Sequence, residues 1–298
     1  MDRLGTIELF IRIVERRSFR AAAADLGVSR PVATAAIKAL EARLDTRLLQ
    51  RSTRHVSPTP EGDAYYQQCV RILRELEDAD RGAGGELGGL VRASLAGTLA
   101  RTFVLPALPA LLERFPGLSV RLAEGERFVD LLREGIDCVV RAGELPDSDM
   151  VVRPLGLVEE MTCASPAYLD RHGIPSSPEA LDGHRMVAFV SSRSGQPLPL
   201  EFVQDGRTIF TRLPAAVLVE GADTSAEAAR LGFGLVQAPR FRFQADLASG
   251  ALVEVLPDHP PPPTPLSILY PSRRQLPARV RVFIDFLEEV LSPMLRRP

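Results

Sequence analysis

The sequence predicts a multidomain α/β protein: a small helical head, a linker helix and a larger α/β body. Three observations carry this reading. Residues 1–60 follow helical spacing broken by one tight turn. A short heptad pattern then ends in a glycine-rich stretch at residues 82–89. From Leu90 onward, strand-like and helix-like segments alternate. At 298 residues, with 45% hydrophobic and 25% charged content, the chain can build two or three ordinary cores.

In the head, Leu4, Ile7, Phe10, Ile11 and Val14 share one face of a first helix. Ser18 is placed to cap a second, built on Ala21–Leu26, which stops at Gly27, the residue best suited to a left-handed turn. Val28 follows as a buried turn residue. Ser29 then caps a third helix, with Arg30 and Pro31 in its first turn, where a missing backbone donor costs little. Arg30, Thr34 and Lys38 recur every four residues, so they line a polar face opposite Ala33, Ile37 and Leu40. Such a face is either an ordinary solvated one or a surface that meets DNA. Residues 47–58 read as a two-stranded wing in which Arg51 and Arg54 can reach phosphates or a minor groove, and this favours the second reading.

Thr59-Pro60 is a cap followed by proline at the first helical position, and the helix it opens runs to about Arg81. Its Tyr65, Cys69, Ile72, Leu76 and Ala79 alternate by four and three, the spacing of a seam between two chains; a helix lying on its own domain would carry the same short pattern. Gly82–Gly89 reads as a hinge, because no strand precedes it to make a nucleotide loop. In the body, strands are expected at 90–95, 118–122, 138–141, 234–237 and 266–270, and helices at 99–115, 128–134, 226–231 and 278–291. The first three strands imply parallel pairing through crossovers. Thr224-x-x-Glu227 has the form of a capping box, and Pro260–Pro263 of a stiff connection.

Charge and composition narrow the function. Residues 1–60 hold eleven Arg or Lys against six Asp or Glu, a balance of +5, so the remainder of a chain with net charge -2 carries -7. A basic head on an acidic body suits a phosphate-binding module joined to one that does not bind nucleic acid. Cys69, Cys138 and Cys163 are widely spaced, with no Cys-x-x-Cys pair, and read as reduced packing residues; no metal site or cofactor is expected. The four histidines, His55, His172, His184 and His259, are scattered and read as surface or loop residues. No Gly-x-Ser-x-Gly elbow, phosphate-binding Gly-Lys loop or His-Glu-x-x-His helix supports an enzyme. A plain solute-binding protein would carry an export segment and lack the basic head. The expected location is the cytoplasm, with no membrane partner.

The run Ser18–Val32, with Ile37, Leu40-Glu41, Leu44, Leu48, Arg51, Thr53-Arg54 and Thr59-x-x-Gly62, closely resembles the LysR-type transcriptional regulators. The resemblance continues through Leu105-Pro106, Phe115-Pro116, Asp130–Leu132, Gly135–Asp137, Arg141–Gly143, Ser165–Leu169, Val280-Arg281 and Phe283–Phe286. It implies a winged helix-turn-helix DNA-binding domain at residues 1–59, a linker and dimerisation helix with its hinge at 60–89, and an effector-binding domain at 90–298. That last domain would be built of two α/β subdomains, similar to periplasmic binding proteins. The implied partners are double-stranded operator DNA, a small-molecule effector and further copies of the chain, as a dimer or a tetramer. Ser29, Pro31 and Thr34 then stand near bases, Arg51 and Arg54 at the backbone, with Arg30, Lys38 and Thr53 completing the DNA-binding set. Many members carry Arg where this chain has Ala35, which removes a guanine reader, and Gly where it has Asp45, a residue that tolerates turn conformations.

In such a body the effector is expected between the subdomains, at loops after strand ends where helix N-termini present backbone donors. Ala96-Gly97-Thr98, with Thr98 as a cap, and Asp223-Thr224 are the two loops named by the sequence. Cys163-Ala164 and Val190-Ser191 are expected to line the wall. Because helix N-termini favour anions, the expected ligand is a small carboxylate held between Thr98 and Thr224.

Overall fold

Four side-chain oxygens set the local frame of the head, each turning an extended stretch into a helix. Asp2 accepts from the amide of Gly5 at 2.7 Å, Ser18 from Ala21 at 3.3 Å, Ser29 from Val32 at 3.5 Å and Thr59 from Gly62 at 2.9 Å. They open α1 (Arg3–Arg16), α2 (Phe19–Asp25), α3 (Arg30–Leu44) and, beyond an antiparallel wing of β1 (Leu49–Arg51) and β2 (Val56–Pro58), α4 (Pro60–Gly82). The computed structural model describes residues 1–51, 56–82, 87–125, 135–145, 150–192, 194–271 and 276–296, with the backbone alone at residues 51, 74, 75 and 77–82. The expected helix at 128–134 and the tip of the wing lie outside the described residues.

The chain divides into two compact units, one built on Met1–Gly89 and the other starting at Leu90. The core of the first is Leu9, Phe10, Ile13, Phe19, Ala22, Ala33, Ile37, Leu40, Leu48 and Leu49, with Tyr65 of α4 on Phe10 at 5.4 Å between ring centroids. Each large apolar side chain in it contributes roughly 1.5–3 kcal/mol by leaving water. Turns between these helices need left-handed backbone. Gly27 supplies it after α2 at φ 65°, and Asp45 supplies it after α3 at φ 48°, where an Asp side chain is tolerated.

In the second unit β3 (Gly89–Leu95) leads into α5, a continuous helix made of Gly97–Leu99, a wide π turn at Ala100–Val104, and Leu105–Arg114. The wide turn immediately precedes Pro106, whose ring would otherwise press on the carbonyl one turn back. Next come β4 (Leu118–Glu124), β5 (Cys138–Ala142), β6 (Met150–Val158) and β7 (Glu160–Ala164). These are followed by α6 (Pro166–His172), β8 (Val187–Phe189), a hairpin of β9 (Leu200–Gln204) and β10 (Arg207–Thr211), and β11 (Val217–Val219). The remainder is α7 (Ala222–Arg230), β12 (Val236–Pro239), α8 (Gln244–Ser249), β13 (Val253–Val255), β14 (Thr264–Pro271) and α9 (Ala278–Leu291).

These elements form two subdomains. The first is a sheet in the order β4-β3-β5-β14-β6, with β3 and β5 parallel and β14 antiparallel to both neighbours; α9 packs on the π turn of α5. Buried Asp137 ties β5 to β3, accepting from the Arg92 amide at 2.9 Å while its own amide donates to the Arg92 carbonyl at 2.8 Å. The second subdomain has β7 between β12 and β13, and β8 parallel to β11. The chain crosses between them at Glu159, linking β6 to β7, and returns through Pro260–Pro263 into β14. β6 is an edge strand that accommodates Pro154, whose missing donor costs nothing on an open edge.

The cysteines and histidines are placed by the fold as follows. The three cysteines are buried and free, as packing residues. His184 lies in the loop before β8, where it is buried, its Nδ1 3.1 Å from the Tyr168 hydroxyl. Burial, together with the nearby His172, pulls its pKa down.

Candidate nucleic-acid interface and effector cleft

α3 is anchored through one face and presents the other. Ala33, Ile37 and Leu40 are buried, whereas Arg30, Pro31, Ala35 and Lys38 are exposed and Thr34 is half-exposed. Arg30, Pro31, Thr34, Ala35 and Lys38 line one shallow open groove. Among the described residues neither Arg30 nor Lys38 has an ion-pair partner, so both charges are available to phosphates. Ser29 caps the helix with its hydroxyl. The side chains of Arg51, Thr53 and Arg54 lie outside the described residues.

The wing is tied to α3 by a residue whose role the sequence did not disclose. One carboxylate oxygen of Glu41 accepts from the amides of both Leu48 and Leu49, at 2.9 and 3.0 Å. A second joint connects the wing to α4. Thr59 donates through its hydroxyl to the Arg47 carbonyl at 2.7 Å and through its amide to the Leu48 carbonyl at 2.9 Å. Gly62 packs so closely there that a Cβ on it would lie 1.9 Å from the Leu48 oxygen. Only glycine fits. The heptad seam of α4 is split: Tyr65 and Cys69 pack on their own domain, while Ile72 and Leu76 are 45% and 40% exposed. Ala79 is among the residues described by backbone alone.

In the second unit the structure corrects both expected helix caps. α5 is preceded by Ala96 and α7 by Gly221, each without a side-chain cap, so Thr98 and Thr224 lie inside the first turns of their helices. Thr98 instead donates its hydroxyl to Asp223 at 3.0 Å, joining the two subdomains. The same carboxylate receives hydrogen bonds from Arg101, on α5, and from Arg242 at 3.2 Å; Arg101 also reaches Glu124 at 3.2 Å. Burial pushes the Asp223 pKa up, but the hydrogen bonds from Arg101 and Thr98 and the charges of Arg101 and Arg242 outweigh it, and the pKa falls below the ordinary carboxylate value.

Other expected wall residues are placed less openly. Cys163 and Ala164 are fully buried in the core of the second subdomain, the Cys163 thiol being pushed up to about 12 by burial. Val190 donates its amide to the Val219 carbonyl at 2.7 Å, which puts it beside the strand leading to Gly221 and Asp223; Ser191 is half-buried next to it. Arg101 and Arg242 were not foreseen. Arg101 stands one turn beyond Thr98, and that spacing is the signal that could have found it.

The second subdomain holds a further polar group, joining β12 to β7 and β9. The Gln237 amide donates to Thr162 at 2.8 Å and to the Glu201 carbonyl at 2.7 Å, and accepts from the Glu201 amide at 2.7 Å. Glu160 opens β7, and burial pushes its carboxyl up to about 7, against the opposing effects of a hydrogen bond from Thr264 and the charge of Arg242. Among the described residues, no cluster of His, Cys, Asp and Glu is placed to hold a metal ion, and no helix is long and apolar enough to cross a membrane.

Comparison with known proteins agrees with both halves of this architecture. Residues 4–63 match the bacterial regulatory helix-turn-helix protein, lysR family, and residues 84–292 match the LysR substrate binding domain. The chain is 35% identical over 298 residues to the HTH-type transcriptional regulator YhjC of Escherichia coli, covering 99% of this chain and 100% of the relative. Among solved structures, it is similar to full-length AphB, a virulence activator of Vibrio cholerae, with a TM-score of 0.61 and 26% identity, covering 96% of this chain and 98% of that one. It is also similar to CrgA, a LysR-type transcriptional regulator from Neisseria meningitidis, with a TM-score of 0.60 and 28% identity, covering 97% and 99%. A basic three-helix head with a wing, a linker helix and a two-subdomain body thus coincide with family matches over nearly the whole length, and the chain belongs to the LysR-type transcriptional regulators, DNA-binding proteins rather than enzymes.

Proposed function

We propose that this regulator binds a specific operator through Ser29, Arg30, Pro31, Thr34 and Lys38 of α3 with Arg51, Thr53 and Arg54 of the wing, and that a small carboxylate controls it. The effector enters between the subdomains beside Ala96, Gly97, Thr98, Asp223 and Thr224, with Val190-Ser191 at the wall. One observation supports the ligand class: a carboxylate, that of Asp223, already sits there on Thr98, Arg101 and Arg242. A free carboxylate would take over those donors, two of them charged, and bind more strongly than a neutral analogue could. Exchange of Asp223 for the effector would bias the two subdomains between arrangements and alter the spacing or bend that a pair of heads imposes on DNA. Pairing would use the exposed half of the α4 seam, giving a dimer or a tetramer in the cytoplasm.

The test is thermal-shift titration of the full chain with a panel of aliphatic and aromatic carboxylates and their matched amides, on wild type, Arg101→Ala and Thr224→Ala. At least one acid is expected to raise the melting temperature where its amide does not, with the response lost in Arg101→Ala. A response equal for acids and amides, or intact in both variants, overturns the carboxylate reading.

A further inference from the structure

The hairpin of β9 and β10 leaves one strand edge of the second subdomain unpaired. Its turn, Asp205-Gly206, has both residues at positive φ, 50° and 72°, and the register it sets runs from Gln204 opposite Arg207 to Leu200 opposite Thr211. Along each strand of such a ladder, backbone groups point alternately toward the partner and away from it. On β9 the outward ones belong to Glu201 and Val203, whose amides leave the hairpin to reach the Gln237 side chain at 2.7 Å and the Pro260 carbonyl at 2.9 Å. Phe210 and Thr208 stand opposite these two, so their amides and carbonyls point out of the other side. Among the described strands β10 has no second neighbour; Thr208 is exposed and Phe210 is 63% exposed.

An edge of this kind is a template for another strand, and folded proteins blunt it with lysine, proline or a bulge. β10 has none of these: its register is unbroken, and its one charged residue, Arg207, stands beside the turn. Thr208, Ile209, Phe210 and Thr211 are all residues that favour strands. The edge also complements itself. Set antiparallel about a two-fold axis through Ile209, Thr208 meets Phe210 of a second copy and Phe210 meets that copy's Thr208, so every outward amide and carbonyl of the two strands finds a partner. In the same register Arg212 falls opposite Gly206 of the second copy, next to its Asp205. Arg212 and Asp205 are exposed, and among the described residues neither has an ion-pair partner; the two-fold brings them together twice. We infer that the free edge of β10 is an interface with a second copy of this chain, joining two hairpins into one sheet in the order β9-β10-β10-β9 and covering Phe210. This contact is isologous and separate from the α4 seam, so it would link dimers paired through α4 into larger assemblies. It depends neither on the effector nor on the operator proposed above.

The test uses the full chain with one cysteine placed on the axis. Ile209→Cys sets two thiols directly opposite each other, within disulfide reach, while Cys69, Cys138 and Cys163 are buried. Mild oxidation is expected to convert most of this variant to a covalent dimer on a non-reducing gel. Thr211→Cys, which faces Arg207 of the second copy, should give about tenfold less. In sedimentation velocity, the largest species formed by the wild type should lose half its mass or more in Phe210→Lys and in Thr208→Pro, a proline that an open edge admits, with melting temperatures unchanged. Phe210→Lys alters only an exposed side chain, so it decides the matter if the proline disturbs the hairpin. Cross-linking of Ile209→Cys no stronger than that of Thr211→Cys, or full mass retained in Phe210→Lys, overturns the inference and leaves the edge to a segment of another protein.

Discussion

Thr98 on α5 and Asp223 on α7 are joined by a 3.0 Å hydrogen bond that crosses between the two subdomains. Asp223 is mostly exposed, so this bond and the Arg101 pair beside it are worth little as stabilisation. Their weight lies in competition, since they occupy the donors that an anionic ligand would need.

Asp223→Ala should therefore release Arg101 and Arg242. Isothermal titration with whichever acid the thermal-shift panel identifies is expected to show about five- to tenfold tighter binding, the value of one or two exposed hydrogen bonds no longer displaced. Weaker binding would mean that Asp223 itself touches the ligand.

Gly62→Ala is expected to cost about 2–3 kcal/mol in chemical denaturation, because the new Cβ would overlap the Leu48 carbonyl and backbone must shift. DNA affinity should fall with it, while Gly27→Ala, where the added carbon meets open space, costs only the left-handed backbone, about 1 kcal/mol.

Glu41→Ala leaves two buried amides of the wing without their acceptor, at a cost of roughly 2 kcal/mol. Binding to operator DNA, followed by fluorescence anisotropy, should weaken about tenfold although no residue of the groove has changed. Glu41→Gln, which keeps an acceptor, should recover most of the loss.

The stability of the body should fall as pH rises from 5 to 8. Glu160 holds its proton in the folded state up to about pH 7, against an ordinary value of 4.5, so the folded chain binds more protons in that window. The contribution is fully present below about 4.5 and is lost as pH rises through 7. Melting temperatures across this range should show the decline, and Glu160→Gln should flatten it, with a gain on the order of 1–3 kcal/mol at pH 8.

Ile72→Glu with Leu76→Glu changes only exposed positions, so the melting temperature of the single chain should hardly move. Sedimentation equilibrium is expected to show association weakened at least tenfold. Unchanged association would place the interface elsewhere.

Much of the head was legible because its signals are local. Ser18, Ser29 and Thr59 cap, Gly27 and Asp45 turn, and each acts within four residues of its own position. The heptad spacing was equally visible, but which half of the seam faces solvent depends on Phe10, far away in sequence. The body yielded less for the same reason. The Thr224-x-x-Glu227 pattern is a valid capping box in isolation, yet α7 begins earlier, at Ala222, because burial of Ser225, Ala226, Ala228 and Ala229 sets its register. Pro154 masked β6, since a proline argues against a strand until the strand is known to be an edge. The Arg101–Asp223 pair spans 122 residues and His184 meets Tyr168 across 16, distances at which no short pattern carries information.

The joint at Gly62 also ties the parts of the head to one another. With Thr59 bonded to the Arg47 and Leu48 carbonyls, and no room for even one extra carbon beneath the helix, the first turn of α4 and the start of β1 turn as a single crank. Glu41 couples that crank to α3. A displacement of the first turn of α4 would therefore be shared with the wing and, through Glu41, with the reading helix, so that the grip on DNA could change with no side chain in the groove replaced.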